Sequence, residues 1–245
     1  MGRKRKGRAA EQGVRFRRKL LAWWARAARD LPWRRTRDPY RVLVSEFMLQ
    51  QTQVSRVAEY YPRFIERFPD LETLANAKPR AVREAWDGLG YYARASNLHA
   101  LARVVSKDHD GMLPDEPEEL INLPGIGPYT AGAVASFAYE KPVPAVDTNV
   151  ARVIRRVFIG EDRQRLTRQR LTPQRLTPQR LTPQRPIPQR LIWALAAALV
   201  PKTGKRAWKF NQAIMELGAL ICVARRPKCE QCPVRPDCRT GRARS

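Results

Sequence analysis

Three groups of residues in this chain have types and spacings that can do chemistry. Ser45 and Glu46 are the only polar residues between Val42 and Leu49. A carboxylate in so apolar a run is costly to bury ionised, so Glu46 either holds a proton near neutrality or reaches the surface. Asp147 stands just before a helical pattern over 148–158, the position of an N-cap, where the positive end of a helix favours an anion. One proton-holding carboxyl and one carboxylate anion form the pairing that cleaves glycosidic bonds. The third group is Cys222, Cys229, Cys232 and Cys238, every cysteine in the chain, spaced C-x6-C-x2-C-x5-C. Thiols gathered this closely argue for metal rather than disulfides. The spacing does not fit the two-pair knuckle of a structural zinc, although zinc stays open on the residues alone.

The elements that must position these groups are short helices and glycine turns. Leu123–Asn149 reads as a turn, a short helix, a proline-broken connection and then Asp147. Gly125 and Gly127 are expected at positive φ, with Pro128 in a first helical turn, so that backbone N–H groups point outward together. Such a terminus binds phosphate, or is simply a helix start without a ligand. Asp38-Pro39 opens the helix that carries Glu46, and it breaks at Gln50-Gln51-Thr52-Gln53, a polar cluster suited to hydrogen bonding base edges. Apolar residues at three-and-four spacing predict a helix over 54–68. Further helices are expected over 14–28, 79–86, 92–107, 117–122, 191–200 and 205–221, with no convincing alternating strand, so the fold class is all-α. Gly88-Leu89-Gly90 presents Tyr91 on a turn, either as a wedge between bases or as an ordinary packed tyrosine. His99 and His109 stand alone and receive no role.

Composition narrows the partner. Forty-seven Lys and Arg oppose twenty-three Asp and Glu, a formal charge of +24. That balance calls for a polyanion, and no apolar run is long enough to cross a bilayer, so nucleic acid is expected and a membrane is not. Residues 1–13 read as a basic, disordered arm without the apolar core of a secretory signal. Residues 166–190, LTRQR followed by LTPQR units and PIPQR, cannot form a continuous helix and read as an inserted low-complexity loop.

LPGIG at 123–127 with Val-Asp at 146–147 resembles the helix–hairpin–helix and catalytic aspartate of the endonuclease III superfamily of DNA glycosylases. LPWR at 31–34, SEFMLQQTQV at 45–54, GLGYYARASNL at 88–98 and the four cysteines are similar to its MutY-type adenine DNA glycosylases. The resemblance implies a six-helix barrel lobe at 32–140 and an iron–sulfur lobe of 14–31 with 141–245. It implies a [4Fe–4S] cluster on Cys222, Cys229, Cys232 and Cys238. It also implies a cytoplasmic, nucleoid-associated monomer that acts on double-stranded DNA and removes a flipped adenine mispaired with 8-oxoguanine or guanine.

Residue roles carry over in the same way. Glu46 falls on the acid that protonates the adenine at N7, and Asp147 on the group that stabilises an oxocarbenium-like sugar. Tyr129 and Asn149 would position sugar and water, while Trp33 and Arg34 would line the base pocket. Gln51 would wedge into the duplex, Tyr91 would intercalate, and Thr52, Leu89, Gly125, Gly127 and Gln212 would contact DNA or base. Tyr129 occupies the place of the lysine that lets some members cut the strand, so a monofunctional enzyme is expected. MutY-type enzymes commonly carry a further domain that reads 8-oxoguanine, and the chain ends at Ser245, which leaves selectivity for that lesion open. Two alternatives remain: a thymine mismatch glycosylase that shares the tyrosine, aspartate and iron–sulfur loop, and a catalytically silent protein that binds damaged DNA.

Overall fold

A computed structural model describes residues 2–160 and 188–242, with side chains from residue 10 onward. The described residues are helical, without a strand: α1 (Gly2–Ala27), α2 (Pro39–Leu49), α3 (Val54–Arg67), α4 (Leu71–Asn76), α5 (Pro79–Ala85), α6 (Ala93–Asp108), α7 (Pro117–Leu120), α8 (Pro128–Phe137), α9 (Thr148–Ile154), α10 (Gln189–Leu199), α11 (Gly204–Leu220) and α12 (Arg239–Arg242). The all-α expectation holds. The repeat at 166–190 lies outside the described residues except for its last three, of which Gln189 and Arg190 open α10.

Two compact units emerge. One comprises 29–145 and 201–208. Its core forms around α2, whose residues 42–48 are all buried and which packs on α3, α6 and α8. Asp38 caps α2 by accepting from the Arg41 backbone N–H at 2.9 Å, and Pro39 fills the first turn. Phe64 of α3 meets the Trp86 ring edge to face at 5.6 Å. α4, absent from the helices expected above, is started by Asp70, which accepts from Thr73 N–H at 2.7 Å, and it buries Leu71 and Leu74. α8 is apolar on every side and buried from Thr130 to Phe137, as a helix enclosed by its neighbours must be. A Cβ on Gly132 would lie 2.3 Å from the Pro144 carbonyl oxygen, so only glycine lets α8 seat against 144–145.

The other unit comprises the described parts of 2–28, 146–160, 188–200 and 209–242. Phe16 of α1 packs edge to face on Phe158 and Phe210 at 5.2 and 6.4 Å. α1 is described from Gly2, ahead of the Val14 start expected for this helix. One face of α1 is anchored. Gln12 donates to the Asp237 carbonyl at 2.7 Å, and Arg15 and Lys19 pair with the Asp237 carboxylate at 2.9 and 2.8 Å. Those anchors, at three-and-four spacing, hold the middle of α1, which Ala10, Glu11 and Gln12 favour intrinsically. The helix expected over 148–158 also changes character, ending in a π-helical turn at Arg155–Ile159 closed by Gly160 at φ 94°.

Asp237 is 5% exposed. Burial alone would raise its carboxyl, but the bonds from Lys19 and Arg15 outweigh it and hold the group below its ordinary value. Breaking a pair of this kind costs on the order of 2 kcal/mol, which lowers a melting temperature by about 4–8 °C. Asp237→Asn is therefore expected to melt that much lower at neutral pH. Because the folded pKa is depressed, the gap between variant and parent should persist down to the unfolded aspartate value of about 3.9 and close below it. Parallel melts across pH would check this, and a gap that widened in acid would contradict it.

Candidate functional site

The fate of Glu46 is settled by its position on α2: it is 3% exposed and does not reach the surface. The Tyr129 hydroxyl donates to Glu46 Oε2 at 2.7 Å. Tyr129 sits in the first turn of α8, so the glycine turn that starts α8 also delivers the partner of the buried carboxyl. Gly125 takes the expected positive φ of 75°, and a Cβ there would lie 2.7 Å from Asn97 Cβ and 3.0 Å from the Phe47 ring. Gly127 differs from expectation. It is extended, at φ −100° and ψ 176°, because it serves as the N-cap of α8, and an added Cβ would meet nothing within 4 Å. No side chain caps that helix.

Two loops next to this site carry backbone strain. Gln51 follows α2 at φ 56°, and Tyr91 precedes α6 at φ 48°, conformations that non-glycine residues rarely adopt. Gln51 is exposed and Tyr91 is 61% exposed, so the packed-tyrosine reading does not hold. Thr52 is half-buried, its hydroxyl 3.4 Å from the Gln50 carbonyl. Leu89, expected on the DNA-contacting surface, is instead buried at 5% exposure: its backbone closes a turn onto Trp86, which turns its side chain into the core. Trp33 is also buried, edge-on to Tyr61 at 5.6 Å, and Arg34 donates to the Arg29 carbonyl at 3.0 Å.

Sequence reasoning missed Arg94. This buried guanidinium donates to the carbonyls of Phe47, Met48 and Gln50 at the end of α2, and to those of Leu89 and Gly90 on the other loop. One side chain thus ties together the two strained loops. The available signal was a lone arginine in the first turn of α6, directly after the glycine-flanked tyrosines.

In the other unit, Asp147 caps α9, accepting from Val150 N–H at 2.7 Å and from the Asn149 amide at 2.8 Å. Arg152 donates to Asn149 Oδ1 at 2.7 Å, to the Gly218 carbonyl at 2.8 Å and to the Cys222 carbonyl at 2.7 Å. A continuous run of hydrogen bonds therefore leads from Asp147 to the first cysteine. Gly218 permits it, since a Cβ there would lie 2.7 Å from Asn149 Cβ. Gln212 lies buried on α11.

Cys222, Cys229, Cys232 and Cys238 all line one cavity, together with apolar residues such as Val153, Leu217 and Val234. Among the described residues no three His, Cys, Asp or Glu side chains are grouped so as to hold a single ion. Four thiols spread around a shared cavity suit a polynuclear cluster with several attachment points better than a lone zinc. Arg156, buried, places Nη1 3.6 Å from Cys222 Sγ and donates to the Val223 carbonyl at 2.7 Å, so a cation stands where thiolate charge would gather. The Gly241 N–H donates to Cys238 Sγ at 3.2 Å. Burial pushes the Cys232 thiol up to about 12 and raises Cys238 as well, so loading iron on these residues releases protons.

A glycine-turn helix that presents a phenol to a buried glutamate in one unit, and four thiols on one cavity in the other, define an iron–sulfur helix–hairpin–helix protein. The chain belongs to the HhH-GPD superfamily of base excision DNA repair proteins, which it matches over residues 44–175. Residues 222–238 match the iron–sulfur binding domain of endonuclease III, and the cofactor these cysteines fit is a [4Fe–4S] cluster. Among relatives, the adenine DNA glycosylase of Mycolicibacterium smegmatis is 44% identical over 88% of this chain and 66% of its own length. That of Homo sapiens is 42% identical over 91% of this chain and 39% of its own. The chain thus spans just under two thirds of the length of its mycobacterial relatives. A solved thermostable thymine-DNA glycosylase is 31% identical, with a TM-score of 0.79, covering 95% of this chain and 98% of that one. Endonuclease III in a non-covalent DNA complex, 22% identical with a TM-score of 0.74 over 96% and 97% of the two chains, shares the fold.

The cluster assignment has a direct check. Purified protein should be brown, with broad absorbance at roughly 400 nm, and Cys229→Ser should lose that absorbance and melt lower as the loop opens. Colourless protein holding one zinc would contradict it.

Proposed function

We propose that the chain is a monofunctional DNA glycosylase that removes adenine mispaired with 8-oxoguanine or guanine. The carrying observation is the buried Glu46 carboxyl held by the Tyr129 hydroxyl at 2.7 Å. A buried carboxyl with a defined partner in an apolar helix is pre-organised to deliver a proton, and protonation at N7 makes adenine a leaving group. Asp147, fixed in orientation as an acceptor from Val150 N–H and Asn149, faces the developing oxocarbenium-like sugar as its electrostatic partner. Tyr129 and Asn149 position sugar and water. The glycosylase names of relatives 42–44% identical support adenine as the base.

The partner is double-stranded DNA, bound by a monomer of formal charge +24 in the nucleoid. The uncapped start of α8, with open space over Gly127, receives a backbone phosphate. Gln51 and Tyr91, exposed on strained turns, enter the stack where the base leaves it. Thr52 and Gln212 contribute polar contacts to the flipped base and its surroundings, and Trp33 and Arg34 shape the pocket. The cluster supplies structural cross-linking of its loop and no step of base removal.

Strand cleavage is not expected. The position before Thr130-Ala131 holds Tyr129, and a phenol forms no imine. Lys141 is engaged by Asp115 at 2.8 Å and Glu116 at 2.6 Å, ion pairs that push its amine above the ordinary value and make it a poor nucleophile. Thymine is the second reading, favoured by the 31% identical thymine-DNA glycosylase. A single-turnover panel with A or T opposite G, C and 8-oxoguanine decides between them. Adenine should be released opposite 8-oxoguanine and guanine, strands should break only after alkali, and borohydride should trap little covalent complex. Release of thymine would establish the second reading, and no release from any duplex would leave a binding protein without turnover.

A further inference from the structure

A second cavity, of about 140 Å³, opens between α5 and α6 and is lined by residues that the site above does not use. Ser96, His99 and Arg103 line it from one face of α6, at three-and-four spacing, and Arg83 lines it from the last turn of α5. The remaining lining residues are small or apolar, and none is acidic. The Arg83 guanidinium carbon lies 4.6 Å from the centre of the Tyr92 ring, a face contact that leaves its N–H edge available. Neither Arg83 nor Arg103 has an ion-pair partner among the described residues, while the adjacent Glu84 is already taken by Arg80 at 2.9 Å and Arg67 at 3.5 Å.

His99 makes this more than a patch of surface cations. It is 7% exposed, and its Nε2 is buried without a hydrogen-bond partner. A buried ring nitrogen left without a partner is unfavourable, and water or a ligand normally satisfies it. Ser96 donates only a long bond, 3.3 Å, to the Tyr92 carbonyl and can turn its hydroxyl inward. Two unpaired guanidinium groups, a hydroxyl and an imidazole around a cavity free of carboxylates are donors awaiting an acceptor. A tetrahedral oxyanion matches their number and charge.

We propose that the α5–α6 cavity binds a phosphate-type oxyanion, with Arg83, Arg103, Ser96 and His99 as its donors. This goes beyond the glycosylase reading and does not depend on it, because occupancy is read in the free protein.

The chain has only two histidines, so proton–carbon spectra of the imidazoles isolate the site, with His109→Gln assigning the second signal. Titrating the full-length protein with inorganic phosphate at constant ionic strength should shift the His99 resonances saturably, at roughly millimolar concentration, and leave those of His109 in place. Arg83→Met and Arg103→Met, both on exposed positions, should each weaken half-saturation by about tenfold while the melting temperature stays unchanged. A short duplex then identifies the source of the anion. If the occupant is a DNA backbone phosphate, saturating duplex blocks the phosphate-induced shift, and Arg103→Met flattens the salt dependence of duplex binding by about one unit of slope. If it is a free phosphate group, the titration survives in the DNA complex. Absence of a saturable His99 shift, or equal half-saturation in the folded Arg83→Met/Arg103→Met double variant, would overturn the proposal.

Discussion

The contact on which this molecule turns is the hydrogen bond from Tyr129 to a carboxyl buried inside the helix α2. Placing Glu46 in an apolar run is unfavourable unless something meets it, and a lost partner at such a site costs about 1–3 kcal/mol. Much of the 29–145 unit can be read as the means of bringing that partner in. α2 packs on α8, Gly132 lets α8 press against the Pro144 carbonyl, and Gly125 makes the turn that α8 needs without colliding with Asn97 and Phe47. Larger residues at those glycines would move the phenol away from the acid. An interaction assembled this closely stabilises the unit little and specifies its geometry strongly.

Arg94 extends the same logic to the neighbouring loops. Positive φ at Gln51 and Tyr91 costs on the order of 1–3 kcal/mol each, and such conformations persist only where surroundings over-determine them. Five carbonyls, three at the end of α2 and two on the loop before α6, converge on one buried guanidinium, whose fork geometry suits several acceptors at once. In the other unit Arg152 and Arg156 serve the cluster loop in a similar manner, through carbonyls of residues 218 and 222–224. Arginines that satisfy backbone acceptors are a common device of both units, distinct from the cations left for an acidic partner.

Much of this was legible in the residues. Helix type and order followed from periodicity, and the cap-then-proline pair Asp38-Pro39 placed α2 correctly because capping is local chemistry. The four cysteines announced themselves by spacing. What was not legible depended on contacts distant in sequence. Gln12, Arg15 and Lys19 of α1 are held by Asp237, more than two hundred residues away in sequence, a contact that no local pattern reveals. Leu89 looked like part of an exposed turn, yet the same backbone that lifts Tyr91 outward turns Leu89 inward. Gly127 suggested a positive φ, whereas its role as N-cap requires an extended backbone. Whether Glu46 was buried or exposed could not be decided by composition, since a single carboxylate in an apolar run admits either; the packing of α8 on α2 decides.

The central claim is that Glu46 acts by protonating the departing base while Asp147 acts on the sugar. A purine already methylated at N7 carries its positive charge in advance and needs no acid. Single-turnover release of 7-methyladenine from a duplex by Glu46→Gln, set beside Asp147→Asn, separates the two roles. The account predicts that Glu46→Gln releases this base at nearly the parent rate while Asp147→Asn remains deficient. If Glu46→Gln is as impaired on the methylated purine as on adenine, proton delivery from Glu46 is not what the buried carboxyl provides.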